Sequence, residues 1–292
     1  MNNLYILYFA VLLALSLSSC RKEIAHPPQR NSRLVVFSYI KPNDPGNPND
    51  LITVSVSLSR SAFGRDIGSF QRIEDADVWI LNTSSGVSRK ILWNETTKQY
   101  ELNQHEFSIQ AGQTYKLKVS AHGQSISAQT SIPEAVKNPT FKLLGIQKRV
   151  KEHDSDQYRY QFNVGSNGLT KMGYYQFYPK LIVTSPHLNV VYGKDYLLAN
   201  DHTNHKSIFN EILTLNYGTN KMEFRHVGVF VSCSLEYYLF QRSAPVNLES
   251  AHVPDFIRPQ VGNIYSNMKS ESGELDGYGI FAGYNEVTVA HH

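Results

Sequence analysis

The residue whose chemistry the sequence indicates most clearly is Cys20, which follows an apolar run over residues 4–17. The run has the length of a signal-peptide core and is too short to span a membrane comfortably. Leu17 stands three residues before the cysteine, and only small residues separate them, which is the pattern of a bacterial lipoprotein signal. In such a protein the peptide is cut before the cysteine, which then carries lipid. The sequence therefore predicts a signal peptide over residues 1–19 and lipidation at Cys20.

Two simpler interpretations of this segment remain open, a plain secretion signal and a short membrane helix. The segment lacks charged side chains, which departs from the usual basic start of a signal peptide. Residues 20–32 are polar, contain Pro27-Pro28 and lack apolar periodicity, so they favour a lipidated tether. Several acyl chains anchor a protein stably, at about 0.8 kcal/mol per buried CH₂. We therefore expect a cell-envelope protein held on a membrane through Cys20, and the sequence leaves open whether it lies on the periplasmic or the surface face.

A His-x-x-His pair, His202 and His205 beside Asp201, is the nearest approach to a metal-binding pattern. Zinc proteases carry His-Glu-x-x-His on one helix face, with the Glu as general base between two ligands. Here the spacing differs, no Glu intervenes, and the surrounding residues are typical of a loop. We expect a solvated polar loop, with no metal and no cofactor.

Two further clusters fall short of a site. The acidic residues of Glu74-Asp75-Ala76-Asp77 lack the Asp-x-Asp-x-Asp-Gly frame of a calcium loop, so a charged entrance to a strand is preferred. The segment Gly277–Tyr284 has Gly-x-Gly-x-x-x-Gly spacing, and too few residues follow it for a dinucleotide-binding βαβ unit. It predicts a turn or bulged strand in which two backbones pack closely.

The second cysteine, Cys233, ends an apolar strand-like run over residues 229–233. If Cys20 carries lipid, Cys233 has no partner for an internal disulfide. A nucleophilic thiol needs a His or a helix N-terminus to lower its pKa, and His226 is too near in the same run to count. We expect a buried, inert thiol and no catalytic residue. The aromatic strand Tyr174–Tyr178 could be either core or binding surface.

The composition favours a β-rich extracellular protein. Charged residues make up 18% of the chain and aromatic residues 12%, with 18 Tyr. Tyrosine and threonine pack well on pleated surfaces. The net charge is +3 and the lysines and arginines form no cluster in sequence, so we expect no nucleic-acid partner.

Residues 33–133 predict an immunoglobulin-like β-sandwich, the first of two domains whose strands would position the residues described above. Ile52, Val54, Val56 and Leu58 alternate with Thr and Ser, the pattern of a strand with one buried and one solvated face. Short strands with turn signals between them are typical of a sandwich. Asp77–Leu81 is apolar on both faces and predicts a central strand that is covered on both sides.

Residues 134–292 predict a second β-rich domain with one short helix, so the fold class is all-β. Candidate strands lie at 141–146, 158–164, 174–183 and 224–232. The helix is expected over Ser234–Arg242, with Ser234 as its N-cap and Glu236 in its first turn. From Ser243 the sequence predicts a loop.

Short motifs then follow one another along almost the whole mature chain, each weak alone but specific in their order. They are Leu17–Cys20, Leu34–Val36, Val54–Arg60, Ile73–Ile80, Ala111–Leu117, Ser127–Pro133, Ile264–Asn267 and Gly279–Tyr284. In these the chain resembles a family of Bacteroidetes outer-membrane lipoproteins catalogued as domain of unknown function 4249. The family implies no catalytic residues. Its members often accompany TonB-dependent outer-membrane receptors, which implies such a receptor as partner.

The leading hypothesis is a non-catalytic outer-membrane lipoprotein that binds a TonB-dependent receptor, a small-molecule or glycan ligand, or both, in nutrient uptake. The alternative is a structural or adhesive surface lipoprotein, in which the first domain is a spacer. A hydrolase is a third hypothesis and would need a pocket with convergent carboxylates or His residues in the second half.

Overall fold

The computed structural model describes residues 32–44, 46–47, 50–59, 71–148, 155–164, 173–183, 190–192, 196–200, 207–216, 224–250, 264–270, 272 and 277–290. The described elements are strands and one helix, which confirms the all-β fold class. In chain order they are β1 Leu34–Ile40, β2 Leu51–Leu58, β3 Asp77–Asn82, β4 Ser88–Asn94, β5 Gln99–Asn103, β6 Thr114–Ala121, β7 Gln124–Ser131, β8 Pro139–Lys148, β9 Ser155–Val164, β10 Gly173–Val183, β11 Val190–Tyr192, β12 Tyr196–Asn200, β13 Ser207–Asn216, β14 Phe224–Cys233, α1 Leu235–Ser250, β15 Lys269–Ser270 and β16 Tyr278–Ala290.

One curled sheet contains most of these strands. Its order is β15-β7-β6-β3-β4-β5-β2-β1-β16-β14-β10-β11, and β12 also pairs with β10. The strands β8, β9 and β13 form a separate antiparallel sheet. The first sheet folds over on itself, so that β1, β2 and β5 face β3, β6 and β7 across a shared core, which is the sandwich arrangement.

The core of the sandwich follows from the alternation in sequence. In β2 the side chains of Ile52, Val54 and Val56 are buried, while the residues between them are half-buried. Burial of such side chains contributes about 25 cal/mol per Å² of apolar surface and is the main stabilising contribution to the fold. The fully buried core residues with the largest side chains include Tyr100, Tyr115 and Phe281.

The strands β4 and β5 lie in the turn-rich stretch in which the sequence predicted no strand. Only Ile91 of β4 is buried, and Tyr100 and Leu102 of β5 are buried. With so few apolar residues in each, the strands are too short for a clear period-two pattern. They form because they complete the sheet between β3 and β2.

The prediction that Asp77–Leu81 is covered on both sides is wrong. Val78 and Ile80 are fully buried, but Trp79 on the opposite face is 38% exposed. No element of the described chain packs over Trp79. The apolar residues on that face therefore form a surface of the sandwich.

The last strand, β16, joins the two halves of the chain. Its first residues pair in parallel with β1, and residues 284–290 pair antiparallel with β14. Met268 and Phe281 also belong to the core of the sandwich. The predicted division of the chain after Pro133 stays a prediction, while residues 264–290 share the core of the first half.

The helix α1 begins where the sequence predicted. The Ser234 Oγ atom accepts a hydrogen bond from the Tyr237 amide at 3.3 Å, which is N-capping. The helix continues through Pro245 to Ser250, past the loop predicted from Ser243. In the described residues no helix has both the length and the apolar character needed to cross a membrane.

Candidate functional site

The candidate residues that the sequence analysis named do not form a catalytic or metal-binding group in the described part of the chain. Cys20, Asp201, His202 and His205 lie outside the described residues. Among the residues that are described, no three His, Cys, Asp or Glu side chains form a group that could hold a metal ion. Glu74 and Asp75 are exposed in the bend that leads into β3, and this confirms the interpretation as a charged strand entrance.

The glycine segment has the structural role that its sequence predicted. Gly279 pairs with Val36 of β1 and has a φ of 106°. A Cβ atom there would lie 1.9 Å from the Val36 carbonyl oxygen, so that only glycine allows this approach. The segment is a strand that packs closely on its neighbour.

Cys233 is a buried thiol whose pKa is raised to about 12 because burial penalises the thiolate. His226 lies seven residues earlier on the same extended strand, about 23 Å away at the rise of a β-strand. The thiol therefore has no His within reach from its own strand and is not activated. The expectation of an inert Cys233 agrees with this geometry.

The aromatic strand β10 packs beneath α1 and belongs to the core. Tyr175 and Phe177 are buried on one face. On the other, the Tyr174 ring lies 4.8 Å from that of Tyr238, and the Tyr237 hydroxyl donates a hydrogen bond of 2.7 Å to Gln176. These contacts hold the helix on the sheet.

Two further tyrosines complete this packed layer. The Tyr237 ring lies 5.6 Å from Tyr39 of β1 and 5.9 Å from Tyr284 of β16. Burial raises the pKa of Tyr39 and of Tyr284 to about 12. The hydroxyls therefore stay protonated at neutral pH, and the ring contacts hold α1 against β1 and β16.

A small polar groove lies beside this layer, where α1 leaves β1 and β2 uncovered. Its volume is about 340 Å³, and Phe37 contributes an exposed aromatic ring to its wall. The buried Gln104 Oε1 and Ser38 Oγ atoms at its lining have no hydrogen-bond partner in the described structure. Lys41 is its one charged residue, so the groove offers little electrostatic selectivity.

The outer face of β4, β3, β6, β7 and β15 carries the most distinctive arrangement of side chains. The strand registers place five residues in one row across these strands. Trp79 is paired with Lys90 on one side and Lys118 on the other, Lys118 with Ser127, and Ser127 with Lys269. Residues directly opposite in neighbouring strands point to the same face. We call this row the basic row.

The side chains of the basic row are accessible. Lys90, Lys118 and Lys269 are exposed, Ser127 is half-buried and Trp79 is 38% exposed. Asp77, beside Trp79, forms an ion pair with Lys90 at 2.7 Å. One of the three lysines of the row is thus paired with a carboxylate on the same surface.

Asp77 also fixes the orientation of the tryptophan. Its Oδ2 atom accepts a hydrogen bond of 2.9 Å from the Trp79 indole N–H. The hydrogen bonds from Lys90 and Trp79 lower the pKa of Asp77 below 3.8. The carboxylate is therefore ionised at neutral pH and holds both the lysine and the indole.

A groove of about 500 Å³ overlaps the basic row between β6, β7 and the segment 264–270, and Lys118, Ser127 and Lys269 line it. A second lysine of β6, Lys116, lies at its edge, and Glu236 of α1 is the acidic residue of its lining. Hydroxyl and amide groups provide hydrogen-bonding positions within it. They belong to Ser125, Ser127, Gln129, Tyr265, Asn267 and Ser270.

The sequence analysis missed the basic row because its lysines are distant in sequence. Lys116 and Lys118 lie on one strand, but Lys90 and Lys269 lie on strands that the sequence did not predict. The signal that could have found the row is Trp79, a large aromatic residue between polar positions of adjacent strands. The absence of a basic cluster in sequence did not exclude one on the folded surface.

Comparison with known proteins gives a family without an assigned activity. The family described as "Domain of unknown function (DUF4249)" matches residues 22–289. None of the curated proteins matches the sequence. A structure of carbohydrate-binding modules from the beta-sandwich superfamily is similar at 11% identity, over 70% of this chain and 93% of that chain, with a TM-score of 0.19. The B domain of a biofilm-associated protein is similar at 8% identity, over 88% and 85%, with a TM-score of 0.17. Neither likeness is close enough to carry an argument about function.

Proposed function

The chain belongs to this family of unknown function, and we propose that it is a non-catalytic outer-membrane lipoprotein that binds a partner through the surface of the basic row. The observation that carries the proposal is the alignment of Lys90, Lys118 and Lys269 with an exposed tryptophan across five strands. Exposed aromatic side chains among polar and charged ones are enriched at surfaces that bind other molecules. A binding role fits this surface better than catalysis does.

The tether supports the same proposal because it meets the sandwich beside the row. The Gln124 side chain donates a hydrogen bond of 2.8 Å to the Ser32 carbonyl, where the described chain begins. Gln124 starts β7, the strand that contributes Ser127 to the row. A lipid on Cys20 would therefore hold the sandwich on a membrane through the end of the chain that lies beside β7.

The receptor partnership is the second element of the proposal. We propose that the lipoprotein accompanies a TonB-dependent receptor and presents its ligand to it, as the family resemblance implies. The test is a pull-down of the full-length protein from its own membranes in mild detergent, with mass spectrometry of the bound proteins. Recovery of one such receptor in near-equal amount supports the partnership. Recovery of the lipoprotein alone contradicts it and favours the adhesive alternative.

The anchor requires a separate test. Metabolic labelling with a fatty acid should label the full-length protein, and the Cys20→Ala variant should remain unlabelled and unprocessed. Labelling of that variant would contradict lipidation at Cys20. The Cys233→Ala variant is the matched control, because its thiol is buried and should not affect processing.

A further inference from the structure

We propose that the β1–β2 groove, the groove of about 340 Å³ beside α1 that Phe37, Ser55 and Tyr284 line, binds a neutral mono- or disaccharide. It lies on the outer face of β1 and β2, whereas the basic row lies on the outer face of the opposite half of the sandwich. The inference therefore assigns a second binding surface and does not rest on the proposed function. Three features of the groove support it: its position between diverging strands, its unpaired polar side chains and its exposed aromatic ring.

The groove forms where β1 and β2 part from each other. The last pair of their antiparallel ladder is Phe37–Ser55. Beyond it, residues 51–54 of β2 pair with β5, while residues 38–40 of β1 continue beside β16. Both strands supply walls to the opening between them. Its volume lies at the lower end of the range of about 300–1,000 Å³ for ligand pockets, which suits a small ligand.

The polar side chains of the groove lack partners within the described residues. The hydroxyls of Thr53, Ser55 and Tyr284 and the amide of Gln99 form no hydrogen bond there, although all four residues are half-buried. Lys41 likewise has no carboxylate partner in that part of the chain. Groups in this state can bind a ligand without first giving up a contact within the protein.

Two buried atoms at the groove also lack partners. Gln104 and Ser38 are each 2% exposed, and in the described structure neither the Gln104 Oε1 atom nor the Ser38 Oγ atom forms a hydrogen bond. A buried polar atom without a partner is costly, and native structures usually supply one. A ligand rich in hydroxyls, seated between the diverging strands, brings such donors to the site. The other groove differs, because its buried Asn267 amide is already bonded to the backbone of Phe281.

The types of group in the wall indicate the class of ligand. Hydroxyl and amide groups together donate and accept hydrogen bonds, as the hydroxyls of a sugar do. Phe37 is 41% exposed, and Phe240 of α1 contacts its ring edge-on, with 6.0 Å between the ring centroids. The ring is therefore held by the helix and still offers an apolar surface. The C–H face of a sugar ring can pack on that surface while its hydroxyls bond to the wall.

Other classes of ligand match the groove less well. An apolar ligand would cover the hydroxyls and amides and leave them without partners, which is unfavourable. A ligand with several negative charges would meet Lys41 alone, because it is the one charged residue of the lining. Burial raises the pKa of Tyr284 to about 12, so its hydroxyl stays protonated and can donate to a sugar oxygen. A neutral saccharide uses both the polar wall and the aromatic ring.

The test measures binding of small sugars to the full-length protein by saturation-transfer NMR, in a detergent without sugar headgroups. The probes are glucose, galactose, cellobiose, maltose and lactose at millimolar concentration, with glucuronic acid as the charged counterpart of glucose. At least one neutral sugar should bind, and salt should not weaken its binding, because the contacts are not ionic. Absence of binding by every neutral sugar would overturn the proposal. Tighter binding of glucuronic acid than of all the neutral sugars would overturn it as well.

Variants of the groove locate the binding. Tyr284→Phe and Ser55→Ala each remove one unpaired hydroxyl, and each should weaken sugar binding about tenfold, the effect of one lost hydrogen bond. Their urea midpoints should stay at the wild-type value, because no protein contact is lost. Tyr278→Phe on β16 and Ser57→Ala on β2 are the matched controls, since neither residue lines the groove. Unchanged binding in the groove variants, or an equal loss in the controls, would overturn the assignment.

A crystal structure of the protein soaked in the tightest-binding sugar gives the direct view. The sugar should lie against Phe37, with its hydroxyls directed between β1 and β2. Ordered water alone on the Gln104 Oε1 and Ser38 Oγ atoms would overturn the proposal. The Lys269→Gln variant of the basic row should bind the sugar as the wild type does. Loss of sugar binding in that variant would contradict two separate surfaces, whereas the receptor pull-down tests the proposed function alone.

Discussion

The side-chain amide of Asn267 pairs with the backbone of Phe281 as a neighbouring strand would. Its Oδ1 atom accepts a hydrogen bond of 3.0 Å from the Phe281 N–H, and its Nδ2 atom donates one of 2.8 Å to the Phe281 carbonyl. Asn267 is 8% exposed and Phe281 is fully buried. The Asn267 side chain thus satisfies the backbone N–H and C=O of Phe281 in β16. At this point β16 lies against β7, but the two strands form no backbone ladder.

Replacing Asn267 should therefore destabilise the sandwich strongly. The Asn267→Ala variant leaves a buried N–H and a buried C=O without partners, at a cost of roughly 2–4 kcal/mol in the free energy of unfolding. Asn285→Ala is the matched control, because Asn285 makes one hydrogen bond of 3.1 Å, to the Pro133 carbonyl, and is less buried. Urea unfolding monitored by fluorescence measures both. Equal losses in the two variants would contradict the role assigned to Asn267.

The close approach of β16 to β1 predicts an equally specific effect at Gly279. Its φ of 106° and the 1.9 Å distance from a Cβ to the Val36 oxygen make Gly279→Ala both strained and sterically impossible without backbone movement. We expect a loss of roughly 3 kcal/mol or more. Gly123→Ala, in a turn with a φ of 73° and open space around it, should cost about 1 kcal/mol. Similar denaturation midpoints for the two variants would show that β16 can shift away from β1.

These relationships mark how far the sequence could predict the fold. The alternation in β2 and the capping Ser234 are local patterns, and both predicted their elements correctly. The end of α1 was not predicted, because Pro245 lowers helix propensity and is here tolerated inside the helix. The closely packed glycines of β16 were recognised as a backbone contact, but their partner strand lies more than two hundred residues earlier.

The candidate site depended still more on non-local pairing. Lys90, Lys118 and Lys269 meet only because β4, β3, β6, β7 and β15 pair in that order. β15 is two residues long and has no pattern of its own. Register is fixed by the folded sheet and not by any single strand, so the row could not be predicted from one segment.

The geometry of Trp79 predicts a pH dependence that fluorescence can detect. The Asp77 carboxylate has a pKa below 3.8 because Lys90 and Trp79 donate hydrogen bonds to it. A lowered pKa in the folded state means that these contacts are complete above the unfolded value of about 3.9 and are lost as the pH falls through the folded value. In a Trp93→Phe background, the Trp79 emission should therefore change in acid, as the pH falls through the lowered pKa of Asp77.

The Asp77→Asn variant provides the control for that titration. It removes the ionisable group and the ion pair, but it keeps an oxygen that can accept the indole hydrogen bond. Since the pair is exposed, the stability should change by less than about 1 kcal/mol. The acid transition of Trp79 should disappear in this variant. A transition that persists would assign the change to another group.

The tyrosines beneath α1 predict loss of stability in alkali. Burial raises the pKa of Tyr39 and Tyr284 to about 12 in the folded protein, and a tyrosine in the unfolded chain titrates near 10. Between about pH 10 and 12 the unfolded state therefore loses protons that the folded state keeps, so that the free energy of unfolding falls as the pH rises. Urea unfolding at pH 8 to 11 should show this slope, and Tyr39→Phe should reduce it because one titrating group is removed. An equal slope in the wild type and in Tyr39→Phe would mean that the layer under α1 opens before its tyrosines ionise.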